Sequence, residues 1–147
     1  MLTFITREQD YALRIVAMLA GLNAGEHLSI KELSNKLLIS KNFAARIAHK
    51  LKNAEVIGTN QGVTGGIFLK KDPTQLSLYD VLNVIGFRSK FNQCLDDSFD
   101  CGLNAFCRFH KFFDSIEQNI YTTLKEKKIS EFIISLNNKT INKLEVN

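Results

Sequence analysis

The chain has 147 residues, of which 45% are hydrophobic and 23% charged, and these proportions exclude a wholly disordered polymer. No apolar run approaches the ~20 residues that a bilayer-spanning helix requires. Nineteen Lys and Arg against fifteen Asp and Glu leave a net charge of +4, an excess that permits nucleic-acid binding without demanding it.

Arg7, Glu8, Asp10 and Arg14 interrupt the apolar pattern at the N-terminus, so it does not read as a secretory signal. A cytoplasmic location is expected, with no membrane partner. Thr6 and Gln9 have the spacing of a capping box, and Tyr11, Ala12, Ile15, Val16, Leu19 and Ala20 follow at helical spacing. Ser29 and Glu32 repeat the capping signal before a short helix with Ile30, Leu33, Leu37 and Leu38 on its inner stripe. A tight connection at Leu38-Ile39 leads to Ser40 and another helix, with Phe43, Ile47, Ala48 and Leu51 inside. Two short helices joined by a tight turn, the second polar and basic outside, have the pattern of a helix-turn-helix.

The period then changes. Val56–Thr59 and Ile67–Leu69 read as strands around the glycine-rich stretch Gly62-Val63-Thr64-Gly65-Gly66, which predicts a β-hairpin. Those glycines lack the following Lys-Ser/Thr of a phosphate-binding loop, so hairpin geometry accounts for them. The predicted fold is mainly α with one small hairpin: a winged helix-turn-helix. Ser77 caps a further short helix through about Ile85, and residues 86–105 read as a loop. Phe106, Phe109, Phe113, Ile116, Ile120 and Leu124 then step by three and four, close to a coiled-coil seam, and predict a long helix that pairs with a second copy. The expected organisation is a winged helix over 1–85, a cysteine-bearing loop over 86–105, a dimerisation helix over 106–128 and a C-terminal tail over 129–147 that is polar apart from Ile129, Phe132, Ile133, Ile134 and Leu136.

Two groups of residues carry candidate chemistry. Lys41, Asn42, Arg46 and Lys50 lie on the outer face of the second helix of the pair, where base and phosphate contacts of such helices fall. Asn pairs bidentately with adenine and Arg with guanine in a major groove about 12 Å wide. Gln61, Thr64 and Gly65 form the hairpin tip, whose small residues permit close approach to a minor groove. The second group is Cys94, Cys101 and Cys107. An odd number of cysteines in one short segment makes a poor disulfide framework. Three readings are open: unrelated thiols, a zinc site completed by His110, or an iron–sulfur cluster. Against an enzyme, the sequence offers no nucleophile–base pair. An electron carrier stays as an alternative, but would not need a helix-turn-helix and wing.

In combination, Gln9-Asp10-Tyr11-Ala12-Leu13-Arg14, Gly62-x-x-Gly65-Gly66-Ile67-Phe68-Leu69 and the triplet Cys94-x6-Cys101-x5-Cys107 resemble the Rrf-two family of bacterial winged-helix regulators. The resemblance covers residues 1 to about 128. It implies a homodimeric transcription factor, a repressor or activator, that binds a near-palindromic double-stranded DNA operator. It also implies that the three cysteines hold an iron–sulfur cluster sensing nitric oxide, redox state or iron. Two fourth ligands are found within the family, and this sequence matches both. Asp10 matches the aspartate that reaches from the partner subunit to a 4Fe-4S cluster in the nitric oxide-sensing type. His110 matches the histidine of the type that holds a 2Fe-2S cluster. The segment around Asp10 is nearer the first type, so Asp10 and 4Fe-4S are the expectation and His110 and 2Fe-2S the alternative. Cys94-x6-Cys101 is one residue longer than either type leads one to expect, and the hairpin tip lacks the basic residues that relatives carry.

Overall fold

The computed structural model describes residues 3–96 and 98–135. Helix α1 spans Arg7–Ala20, and the capping box forms as the sequence predicts: Thr6 Oγ1 accepts from Gln9 N at 3.3 Å while Gln9 Oε1 accepts from Thr6 N at 2.9 Å. Helix α2, Ile30–Leu37, starts in the same way, with Ser29 and Glu32 exchanging bonds of 3.2 and 2.8 Å. It ends at Leu38, which adopts the left-handed conformation at φ 54° and ψ 44° and sends its side chain to solvent. Ile39 N then bonds the Ser34 carbonyl at 3.0 Å. This tight C-terminal closure turns the chain directly into α3, Lys41–Asn53, capped by Ser40.

Strands β1, Ile57–Asn60, and β2, Gly66–Leu69, pair antiparallel with Ile57 opposite Leu69 and Asn60 opposite Gly66. At the hairpin tip Gly62 has φ +118°, which disfavours any side chain. Gly65 is required for space instead, since a Cβ there would stand 2.3 Å from the Asn60 carbonyl oxygen. Leu28 adds an isolated antiparallel bridge to Ile67, with bonds of 2.8 and 3.0 Å, so the chain entering α2 braces the wing.

The core lies where these elements converge. Ile15 and Val16 of α1, Leu33 of α2, Ile47 and Leu51 of α3, Ile57 of β1 and Val81 of the following helix are all fully buried or nearly so. Each such aliphatic side chain contributes about 1.5–3 kcal/mol on burial. That following helix, α4, spans Leu78–Val84 and is capped by Ser77 and Asp80. Within the expected loop, Gln93–Leu95 forms a 3₁₀ turn.

The long helix α5 spans Arg108–Glu126. It begins after Phe106, which the sequence reading places inside it. Phe106 stands 90% exposed ahead of the helix. Beyond α5 the chain folds back onto the core. Ile129–Phe132 forms a second 3₁₀ turn, and Ile129 is fully buried in the core. Ile129 N bonds the Leu76 carbonyl at 2.9 Å, Leu78 N bonds the Lys127 carbonyl at 2.9 Å, and Ile134 N reaches the Ala17 carbonyl of α1 at 3.2 Å. The remainder of the expected tail, residues 136–147, lies outside the described residues.

Candidate DNA interface and cysteine segment

Helix α3 turns Ala44, Ile47, Ala48 and Leu51 into the core and leaves Lys41, Asn42 and Arg46 exposed, with Lys50 half-buried. Ser40 Oγ accepts from Phe43 N at 3.2 Å, which fixes Lys41 and Asn42 in the first turn. Gln61 and Thr64 are exposed at the wing tip and Gly65 is half-buried beside them. The Thr64 carbonyl accepts from His27 Nε2 at 2.5 Å, which ties the tip back toward α2.

The structure brings to α3 a residue that the sequence reading left out. Glu8, in the first turn of α1, places Oε1 2.9 Å from Lys50 Nζ and 3.3 Å from Arg46 Nε. Partial burial opposes its ionisation, but the hydrogen bonds and charges of Lys50 and Arg46 outweigh that and hold the carboxyl below the usual range. The Arg46 guanidinium also lies 5.3 Å above the Phe43 ring, and Tyr11 meets that ring edge to face at 5.7 Å. The only trace in the sequence is an acid in a first helical turn, a position the helix dipole explains by itself. The 38-residue separation from Arg46 hides the partner.

Cys94, Cys101 and Cys107 are all free thiols of intermediate exposure. Cys94 sits in the 3₁₀ turn after α4. Lys90 clamps that turn: its Nζ donates to the Leu95 carbonyl at 2.7 Å and pairs with Glu117 Oε1 of α5 at 3.0 Å. Cys107 is the N-cap of α5, with Sγ accepting from His110 N at 3.4 Å. Cys94 and His110 line one cleft of about 370 Å³ together with Asn104 and Asp114. In it, His110 Nδ1 and Asn104 Oδ1 are buried without a hydrogen-bond partner. Asp10 has its carboxylate engaged one turn along α1, where Oδ2 accepts from Arg14 Nε at 2.9 Å. Among the described residues, no three His, Cys, Asp or Glu side chains stand close enough to share a metal ion. The single chain thus brings His110 beside Cys94 and Cys107 but does not converge the three thiols or draw Asp10 to them. The donor chemistry nonetheless suits a thiolate-ligated centre. There are three free thiols on one segment, a helix N-terminus that favours negative charge at Cys107, and an imidazole nitrogen with no partner.

The outer face of α5 is apolar. Phe109 is 75% exposed and Phe112 57%, and Ile116, Ile120 and Leu124 line a shallow groove with Asn119 and Thr123. Phe113, expected in this seam, instead turns toward the cysteine segment and stacks on Phe91 with ring centroids 6.5 Å apart.

Comparison with known proteins places this geometry. The family model described as "Rrf2: Iron-dependent Transcriptional regulator" matches residues 5–134. The transcriptional regulator NsrR of Bacillus licheniformis is 30% identical over 107 residues, covering 67% of this chain and 74% of that protein. In three dimensions the chain is similar to CymR, the global cysteine regulator of B. subtilis, with a TM-score of 0.72 at 20% identity over 88% of this chain and 95% of that one. It is also similar to IscR of T. potens, with a TM-score of 0.66 at 15% identity over 95% of this chain and 96% of that one. These neighbours share the winged-helix arrangement. With nearly its whole described length matched, the chain belongs to the Rrf2 family of transcriptional regulators.

Proposed function

We propose that this regulator acts as a homodimer that binds a near-palindromic operator through α3 and the wing, and that Cys94, Cys101 and Cys107 hold an iron–sulfur cluster reporting nitric oxide, redox state or iron. The observation that carries the reading is the presence, in one chain, of an exposed basic recognition face and a separate segment of three free thiols. Lys41, Asn42, Arg46 and Lys50 are the major-groove candidates, with Gln61, Thr64 and Gly65 at the wing. The apolar face of α5 is the dimer contact, because among the described residues it leaves Phe109 and Phe112 exposed beside the groove of Ile116, Ile120 and Leu124. Two recognition helices must then match half-sites about 34–36 Å apart. A signal that changes the ligation of the cluster changes the populations of DNA-competent and incompetent dimers.

For the fourth ligand, Asp10 of the partner subunit and a 4Fe-4S cluster are supported by the likeness to NsrR. A carboxylate is a harder ligand than a thiolate, so this iron is where an attacking molecule would displace a ligand first. Engagement there requires Asp10 to leave Arg14. A second reading, His110 with a 2Fe-2S cluster, is favoured by the partnerless Nδ1 and by the cleft that His110 shares with Cys94. The test is the visible spectrum with iron, sulfide and zinc content of anaerobically purified protein. Each cysteine-to-alanine change is expected to abolish the cluster, while Asp10→Ala leaves a more labile one. If His110→Ala destroys the cluster and Asp10→Ala spares both its spectrum and its nitric oxide response, His110 is the ligand. Stoichiometric zinc without sulfide would replace the cluster by a zinc site.

A further inference from the structure

Glu8 is set apart from the other acid of α1 by what it touches. Asp10, two residues on, pairs within its own helix with Arg14, whereas Glu8 crosses to α3 and holds two side chains of the predicted recognition face. We infer that Glu8 is a specificity-determining residue for DNA, suppressing the attraction of Arg46 and Lys50 to any phosphate while presenting the Arg46 guanidinium in one geometry to a base edge. The inference rests on the DNA-binding reading above.

Two physical arguments support it. The first is charge. Non-specific DNA binding is almost wholly electrostatic, and each phosphate neutralised by a Lys or Arg steepens the dependence of log K on log salt by about 0.9. Arg46 and Lys50 sharing one carboxylate present a combined charge of +1, where the two alone would present +2. A carboxylate beside the groove also repels phosphate directly. The wing tip, Gln61 to Gly65, contains no Lys or Arg to restore that attraction. The second argument is geometry. The Glu8 contact uses Arg46 Nε, and the Phe43 ring lies beneath the guanidinium at 5.3 Å. This leaves the two terminal nitrogens as an end-on fork, the arrangement that meets O6 and N7 of guanine. A long side chain held on two sides loses less freedom on meeting a base than a free one. Glu8 therefore weakens binding to DNA at large without weakening binding to the right site in the same measure.

The test uses the full chain, purified anaerobically, and two duplexes of equal length: one selected by the wild-type protein from a random pool, and one scrambled. Binding is followed by fluorescence anisotropy over a range of salt. Glu8→Gln, which keeps the shape and removes the charge, is expected to bind the scrambled duplex about tenfold more tightly at 0.1 M salt, with a slope steeper by about 0.9. Its affinity for the selected duplex should rise by less than about threefold, so the ratio of the two falls. Adding Lys50→Gln to Glu8→Gln should return about 0.9 of slope. Arg46→Ala should lose about 5- to 150-fold on the selected duplex and relax its sequence preference. The inference is overturned if Glu8→Gln matches the wild type on the scrambled duplex in affinity and slope, or if it tightens both duplexes equally. In either case wild-type selection of a sequence leaves the DNA-binding reading standing. If the wild type enriches no sequence and shifts no duplex, that reading itself falls and takes the inference with it.

Discussion

Helices α3 and α5 are both amphipathic, yet they solve burial differently. The thirteen residues of α3 bury Ala44, Ile47, Ala48 and Leu51 and expose charge. The nineteen residues of α5 bury a single residue, and it is Glu117. Phe109 and Phe112 face outward instead. The difference teaches where each half gets its stability. The winged-helix half closes its own core, from α1 through α4 with Ile129 as the last piece. The α5 half keeps its apolar surface on the outside, and Glu117 Oε2, His110 Nδ1 and Asn104 Oδ1 lie buried there without a hydrogen-bond partner, as His27 Nδ1 does beside the wing. A buried polar atom left unpaired costs about 1–3 kcal/mol, so such an arrangement persists where something else satisfies it. One half closes its apolar core within the chain, and the other leaves its apolar face on the surface.

The comparison breaks most visibly at the apolar face of α5. Replacing Ile116 and Ile120 by Lys sets two ammonium groups in the proposed dimer contact, where unpaired burial of charge is prohibitive. The expected outcome is a folded monomer, read as halved mass by light scattering with the helical circular dichroism kept. A wild-type dimer in that experiment would show that the contact lies elsewhere. In the winged-helix half the same kind of insult acts inside one chain. Leu51→Ala should lower unfolding stability by about 2–5 kcal/mol in denaturant titration, because Leu51 is fully buried and leaves a cavity. Phe109→Ala, the truncation of a larger but exposed side chain, should change the stability of the monomeric variant by under about 0.5 kcal/mol.

The smallest effect sharpens the seam between the halves. Asp80 of α4 caps its own helix through Ser77 and pairs with Lys125 of α5. Burial pushes its carboxyl up, but the bonds from Lys125 and Ser77 outweigh this and hold it below the usual range. A carboxyl lowered in the folded state lends its stability above the unfolded value of about 3.9 and loses it as pH falls through the folded value. Stability is therefore expected to be level with respect to this group above about pH 5 and to decline in more acidic solution. Asp80→Asn should remove that portion of the decline and lower stability at neutral pH by about 0.2–1 kcal/mol. An unchanged acid limb in thermal melts would detach Asp80 from the seam.

What the sequence made legible follows from range. The capping boxes of Thr6, Ser29 and Ser77 join residues three apart, so their side chains could be read against the backbone they serve. The switch from helical to alternating period and the glycines of 62–66 likewise announced the hairpin. Position-specific partners across the fold could not be read this way. Ile129 stood out as apolar in an otherwise polar stretch, but only the return of the chain to α1 shows what buries it. Phe113 shares the spacing of the α5 seam with its neighbours, and a stack on Phe91 decides its direction. For the site, the three cysteines and the outer residues of α3 were visible as residue types at telling positions. Glu8 was not, because its role depends on two helices crossing.

The return of the chain after α5 has a mechanical consequence. The C-terminal end of this helix is fastened by Ile129 in the core, by the Leu78–Lys127 backbone bond and by Lys125 on Asp80, while its other end carries Cys107. Nineteen residues at about 1.5 Å each make a rod roughly 28 Å long. A displacement of about 5 Å at the cysteine end then corresponds to a swing of only about 10° at the fastened end. Under the proposed function a coarse movement at the thiols would become a fine angular adjustment against α4, a small turn that a close-packed core can accept without coming apart.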